Sequence, residues 1–119
     1  MSNSLVRDKS YNFSVLIVKF CYSISLTNHD FVLSKQLLRS GTSICANINE
    51  ALCGQSKKDF IHKLSIAYKE VGETKYWLEL IKDAGITKYD TSMYNELVLL
   101  LQEILKLLTS IIKTSKTTN

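Results

Sequence analysis

Few residues in this chain stand at a spacing that catalysis or metal binding could use. Asp59 and His62 are three apart, so a helix would bring a carboxylate and an imidazole to one face, as a metal ligand pair requires. A di-metal carboxylate bundle needs Glu-x-x-His pairs on two helices, and the sequence contains none. Asp59 therefore reads as a helix cap and His62 as a solvated side chain. Cys45 and Cys53 fall on one helix side but about 12 Å apart along its axis, too far for a single zinc ion. With Cys21 they read as small buried hydrophobes. His29 adjoins Asp30 in a turn, yet no serine or cysteine is tied to that pair by a nucleophile motif. The segment GQSKK at 54–58 lacks the second spaced glycine and the preceding strand of a phosphate-binding loop. Lys57 and Lys58 still stand at a helix N-terminus against the dipole, where a bound anion would relieve the conflict; solvated lysines offset by Asp59 are the simpler account. The expectation is a protein with no catalytic residue, no metal and no cofactor.

The most informative stretch is 37–54, LLRSGTSICANINEALCG. At about 100° per residue, Leu37, Gly41, Ile44, Ile48 and Leu52 share one side, and Gln36, Arg39, Ser43, Asn47 and Glu50 form a polar stripe beside it. Ser43 and Asn47 are short, poor helix formers that gain little from solvent. Arg39 has the forked geometry for a carboxylate, and Glu50 can accept from a cation. The stripe is expected to be structural, joining helices or protomers, with a plain solvated face as the alternative. Gly41 sits inside this helix although an interior glycine costs about 1 kcal/mol relative to alanine. It is read as marking the close approach of another helix, and small Ser40, Ser43 and Ala46 support that reading.

The chain has 119 residues, no proline, four glycines and 45% apolar residues. So few turn punctuators favour long helices over a many-stranded sheet, and the length suits one all-α domain. Three cysteines without an N-terminal hydrophobic signal region point to a reduced, cytoplasmic protein. The longest apolar run, Leu97 to Leu101, is far short of the ~20 residues a bilayer demands, so no membrane role is expected. A net charge of +4 permits association with nucleic acid or acidic proteins without requiring it.

Four helices are expected near 5–26, 31–53, 57–84 and 91–113, with a frayed tail at 114–119. The first carries Val6, Phe13, Ile17, Phe20 and Ile24 on one side and Tyr11, Val15, Val18 and Tyr22 nearly opposite, so two sides need cover. Asp30 is the expected N-cap of the second, and Gly54 its C-terminal stop. The third opens at Ser56 and Asp59, closes at Gly85, and repeats Phe60, Leu64, Ala67, Val71, Thr74, Leu78 and Ile81 at the steps of an antiparallel bundle. The fourth has a core stripe of Leu97, Leu101, Ile104, Leu108 and Ile111. Val98, Leu105 and Ile112 widen it on one flank, Leu100 and Leu107 on the other.

Three segments carry a family resemblance: KSYNF at 9–13, LSKQLLRSGTSICANINEA at 33–51 and GQSKKDFIHKLSIAYKEVGETKYWLELIKDAG at 54–85. Together they resemble the four-helix-bundle proteins encoded in intervening sequences of bacterial 23S rRNA genes, relatives of the accessory protein of diversity-generating retroelements. The resemblance implies an antiparallel up-and-down four-helix protomer that assembles into a barrel-like homopentamer, with no enzymatic activity attached. The retroelement relative is a basic oligomer that associates with nucleic acid and a reverse transcriptase. Arg39, Ser43, Asn47 and Glu50 occupy the family's signature positions. Cys45 stands where many relatives have proline or glycine, so no helix kink is imposed there.

The functional expectation is therefore a non-enzymatic homo-oligomer whose assembled basic surface binds RNA or DNA. Lys57, Lys58, Lys63, Lys69 and Lys75 are the candidate contacts. The alternative is a protein-binding adaptor without a nucleic-acid role. The aromatic residues fall mostly on packed faces, so base stacking is not expected.

Overall fold

The computed structural model describes residues 2–29 and 31–117, which form four helices and, among these residues, no strand. They are α1 (Ser2–Asn28), α2 (Val32–Leu52), α3 (Lys57–Ala84) and α4 (Thr91–Thr117). Each packs against its two neighbours in a square, α1 on α2 and α4, α3 on α2 and α4, and among the described residues no backbones approach closely across the diagonals. Cross-helix pairs fix the antiparallel sense: Ser25 with Ser34, Glu50 with Lys63, and the Tyr94 hydroxyl with the Leu78 carbonyl. The result is a rod with extents of 50 × 21 × 20 Å.

The four apolar stripes meet along the axis of that rod. Phe13, Ile17, Phe20 and Ile24 of α1, Leu37, Ile44 and Ile48 of α2, Leu64, Leu78 and Ile81 of α3, and Leu97 and Ile104 of α4 are fully buried. Each such side chain contributes about 1.5–3 kcal/mol on leaving water, so the stripes are the main source of stability. Gly41 is where α2 comes closest to α1: a Cβ built on it would lie 3.0 Å from both Cγ atoms of Ile17. Phe20, Tyr89 and Tyr94 close one end as a ring cluster, with Tyr89 stacked on Tyr94 at 4.8 Å between centroids.

The helix ends follow local chemistry. The Ser56 hydroxyl accepts from the Asp59 amide, and Gly85 ends α3 in the left-handed region at φ 69°. The Asp90 carboxylate accepts from the Met93 amide at the start of α4. Asn28 bonds both backbone groups of Lys88 at 2.8 and 2.9 Å, tying the end of α1 to the α3–α4 loop.

Several ends differ from the sequence expectation. Helix α4 continues to Thr117 instead of fraying after 113, because Ile111 and Ile112 still pack and the Thr117 hydroxyl bonds back to Lys113; 118–119 lie outside the described residues. Gly54 does not adopt a left-handed stop. A Cβ added to it would lie 2.6 Å from Asp59 Oδ2, a side-chain end that can rotate aside, and 3.0 Å from the Ala51 carbonyl oxygen, so the position is tight without a positive φ. Asp30, the expected cap of α2, lies outside the described residues; Phe31 occupies the cap position with no side-chain bond.

The excess apolar surface divides in two. On α4 the flanking Val98, Leu100, Leu105, Leu107 and Ile112 are half-buried against the chain's own core. On α1 Tyr11, Val15, Val18 and Tyr22 remain 61, 38, 49 and 68% exposed, on the side away from the core.

Candidate functional site

The polar stripe of α2 runs along its seam with α3. Arg39 reaches across to two carboxylates, 3.4 Å from Glu70 Oε2 and also bonded to Glu73. Hydrogen bonding to Glu73 raises the guanidinium pKa further, with burial opposing and the charges of Glu70 and Glu73 adding. Glu50 receives the Lys63 ammonium at 2.9 Å, and that bond raises the lysine pKa. Ser43 and Asn47 turn inward to their own helix, bonding the carbonyls of Arg39 and Ser43. Gln36 is exposed at the Phe31 end of the same stripe. Beneath the seam, the fully buried Thr74 and Ser40 hydroxyls lie 3.0 Å apart.

Arg39 and Glu50 thus tie two helices of one protomer, through groups that remain wet. The Arg39 side chain is 49% exposed and that of Glu70 16%. A pair this exposed contributes about 0.2–1 kcal/mol and mainly sets the rotation of α3 against α2. Glu70 Oε1 and Trp77 Nε1, on that side of α3, are buried with no hydrogen-bond partner among the described residues. Glu70 and Glu73 were missed as the arginine's partners: carboxylates three apart mark an acidic edge on a helix, but α3 carries another at Glu79 and Asp83, and residue order does not choose between them.

The candidate lysines do not converge. Lys63 is held by Glu50. Lys57, Lys58, Lys69 and Lys75 are exposed and make no ion pair among the described residues. By helical rotation, Lys58 and Lys69 point away from the core, whereas Lys57 and Lys75 lie toward α4. They form a spread band over α3, with Lys75 at the border of a hollow against α4.

No three His, Cys, Asp or Glu side chains among the described residues come together as a metal site would need. Asp59 stands in the first turn of α3, where its amide donates to the Ser56 hydroxyl that caps the helix, and His62 is exposed. Two thiols are buried and one is not. Burial pushes Cys21 up to about 12. Cys45 Sγ sits 3.9 Å from the Arg7 carbonyl oxygen. Cys53, expected to be buried, is exposed, because α2 ends at Leu52 and the chain turns there away from the core. No helix among the described residues is long and apolar enough to cross a membrane.

The outer face of α1 and α2 is a further surface without an assigned role. Val18, Tyr22, Phe31 and Leu38 border an apolar hollow of about 330 Å³. At the other end of the same face Arg7, Asp8, Tyr11, Asn12 and Asn49 line a polar hollow.

Residues 2–110 match the family model described as 23S rRNA-intervening sequence protein. Among solved structures, the chain is similar to a protein of unknown function from the S23 ribosomal protein family of Bacteroides thetaiotaomicron. The two are 48% identical with a TM-score of 0.88, over 95% of this chain and 99% of that one. No curated protein matches. The four-helix fold, the ordered motifs of α2 and α3, and a match over nearly the whole length agree, and the chain belongs to the 23S rRNA-intervening sequence protein family.

Proposed function

We propose that this chain is a non-catalytic bundle protein that works as a homo-oligomer and binds RNA or DNA through the lysines its assembly displays. The observation that carries the oligomer is the α1 stripe of Tyr11, Val15, Val18 and Tyr22, left open to solvent beside the apolar hollow against α2. A monomer in water rarely keeps such a continuous apolar patch, and a second copy presents an equal one. Five copies is the number implied by the family resemblance. At +4 per chain a pentamer would carry about twenty positive charges. Lys57, Lys58, Lys69 and Lys75, which make no ion pair among the described residues, are the contacts that remain for phosphates; Lys63 is engaged by Glu50.

The test is titration of the oligomer with duplex DNA, single-stranded DNA and structured RNA at low and moderate salt. Binding should weaken steeply with salt, by about 0.9 in the logarithmic slope for each phosphate neutralised on a duplex. A Lys57→Glu, Lys58→Glu variant should bind more weakly at unchanged oligomer mass. No binding to any of the three at low salt would leave the protein-binding adaptor as the better reading.

A further inference from the structure

The outer seam between α3 and α4 contains a feature that neither folding nor the proposed function explains. Gly72 lies in the middle of α3, exposed, and a Cβ built on it would meet nothing within 4 Å. The contrast with Gly41 is complete, since there the neighbouring helix demands the glycine. An interior helix glycine costs about 1 kcal/mol relative to alanine, and no part of this protomer requires the one at 72.

Its surroundings give the position a use. Two hollows lie along the seam. One, of about 320 Å³, is floored by Leu78, Val98, Leu101 and Leu105; the other, of about 370 Å³, lies at Tyr68 and Ile112. On α3 the second ends at Tyr68 and the first begins at Val71, and Gly72, one turn beyond Tyr68, presents no side chain over that stretch of the helix. The charges are unevenly placed: Lys75 and Lys82 face Glu79 and Asp83 around the first hollow, whereas Lys113 and Lys116 of α4 border the second with no carboxylate beside them in its lining, so the rim as a whole carries an excess of two positive charges. The α3 border from Ser65 to Asp83 is about 27 Å long, the length of a helix of about 18 residues.

We propose that this seam is a docking groove for an amphipathic helix of a partner protein, its apolar face on the floor, its acidic flanks on the lysines, and its backbone closest at Gly72. Helix-in-groove recognition uses this combination of an apolar trough and a charged border. A phosphate backbone has no use for the aliphatic floor. A second copy is the poorer fit, because its open apolar face on α1 is bordered by Arg7 and Lys19 against the single carboxylate of Asp8 and supplies no acidic flank for the lysines of the rim, while Lys9 is turned to Glu103 of α4.

The test uses the full chain and labelled synthetic helical peptides of about 18 residues with leucines at i, i+3, i+4 and i+7, flanked by glutamates in one and lysines in the other. Fluorescence anisotropy should show the glutamate peptide binding roughly tenfold or more tightly than the lysine peptide. Gly72→Leu, whose Cβ would meet nothing within 4 Å in its own protomer, should raise the thermal midpoint and weaken that binding roughly tenfold. Lys75→Glu with Lys113→Glu should reverse the preference between peptides. The proposal is overturned if the glutamate peptide fails to bind, if Gly72→Leu leaves binding unchanged, or if both peptides bind equally. A change of oligomer mass in Gly72→Leu would assign the groove to a second copy, and loss of nucleic-acid binding would assign it to a phosphate backbone; either result also overturns it.

Discussion

Gly41 and Ile17 are in contact at the α1–α2 crossing, with room for a hydrogen on Gly41 but not for a methyl group, which would stand 3.0 Å from both Cγ atoms of the isoleucine. Ile17 is fully buried in the core, so it makes room only by displacing its packed neighbours. Gly41→Ala should therefore lose more to overpacking, about 1–3 kcal/mol, than the roughly 1 kcal/mol it gains in helix propensity. Gly72→Ala meets nothing and should be stabilising by up to about 1 kcal/mol. Denaturant midpoints moving in opposite directions for the two glycines check both statements.

Arg39→Ala should cost about 1 kcal/mol or less, and less still in high salt, because the side chain it removes is half in water. Glu70 is the more buried partner, and Glu73 stays beside it as a second negative charge after the arginine is gone. Arg39→Lys should recover only part of the loss, since an ammonium cannot fork across two carboxylates. Unfolding measured at two salt concentrations separates these outcomes. A loss of several kcal/mol that salt does not alter would contradict the exposed pairing.

The Cys21 thiol gives a test in pH. Burial raises it from 9.0 to about 12, so between those values the unfolded chain has released this proton and the folded chain still holds it. Fewer protons in the unfolded state means that stability falls as pH rises through this window and is fully retained below it. Tyr94 acts in the same direction, its hydroxyl raised first by burial. Stability should decline above about pH 9, and Cys21→Val should flatten part of that decline; equilibrium unfolding across this range measures it. At neutral pH a thiol reagent should modify Cys53 in the folded protein and leave Cys21 and Cys45 untouched until unfolding.

How much of this could be read from residue order depends on whether the cause is local. Leu64, Ala67, Val71, Thr74, Leu78 and Ile81 repeat at helical steps, and each is buried, because periodicity and burial are one property seen twice. Gly41 was legible for the same reason, a glycine standing against propensity within an apolar stripe. The partners of Arg39 were not. Glu70 and Glu73 differ in no local way from Glu79 or Asp83; only the rotation of α3 against α2, set by the whole core, selects them. The exposure of Cys53 turns on the last residue of a helix, where one residue swings a side chain by about 100°. The lysines were legible as charge and not as a surface, since Lys63 was already committed to Glu50 across a helix pair.

The assembly is tested at α1. Val18 and Tyr22 are exposed in the protomer, so Val18→Glu and Tyr22→Glu remove no core contact and should leave the helical circular dichroism spectrum and the monomer's own stability nearly unchanged. Between copies the same glutamates would be buried without a designed partner, at a cost of several kcal/mol for each unpaired charge. Repetition around a closed assembly multiplies that cost, because every interface carries the substitution. Light scattering at micromolar concentration should give a multiple of 13.5 kDa for the parent chain and a mass shifted toward the monomer for the variants. A parent chain that runs as a monomer would remove the oligomer, and with it the repeated lysine surface on which nucleic-acid binding depends. A variant that keeps the parent's mass would instead move the interface off the α1 stripe.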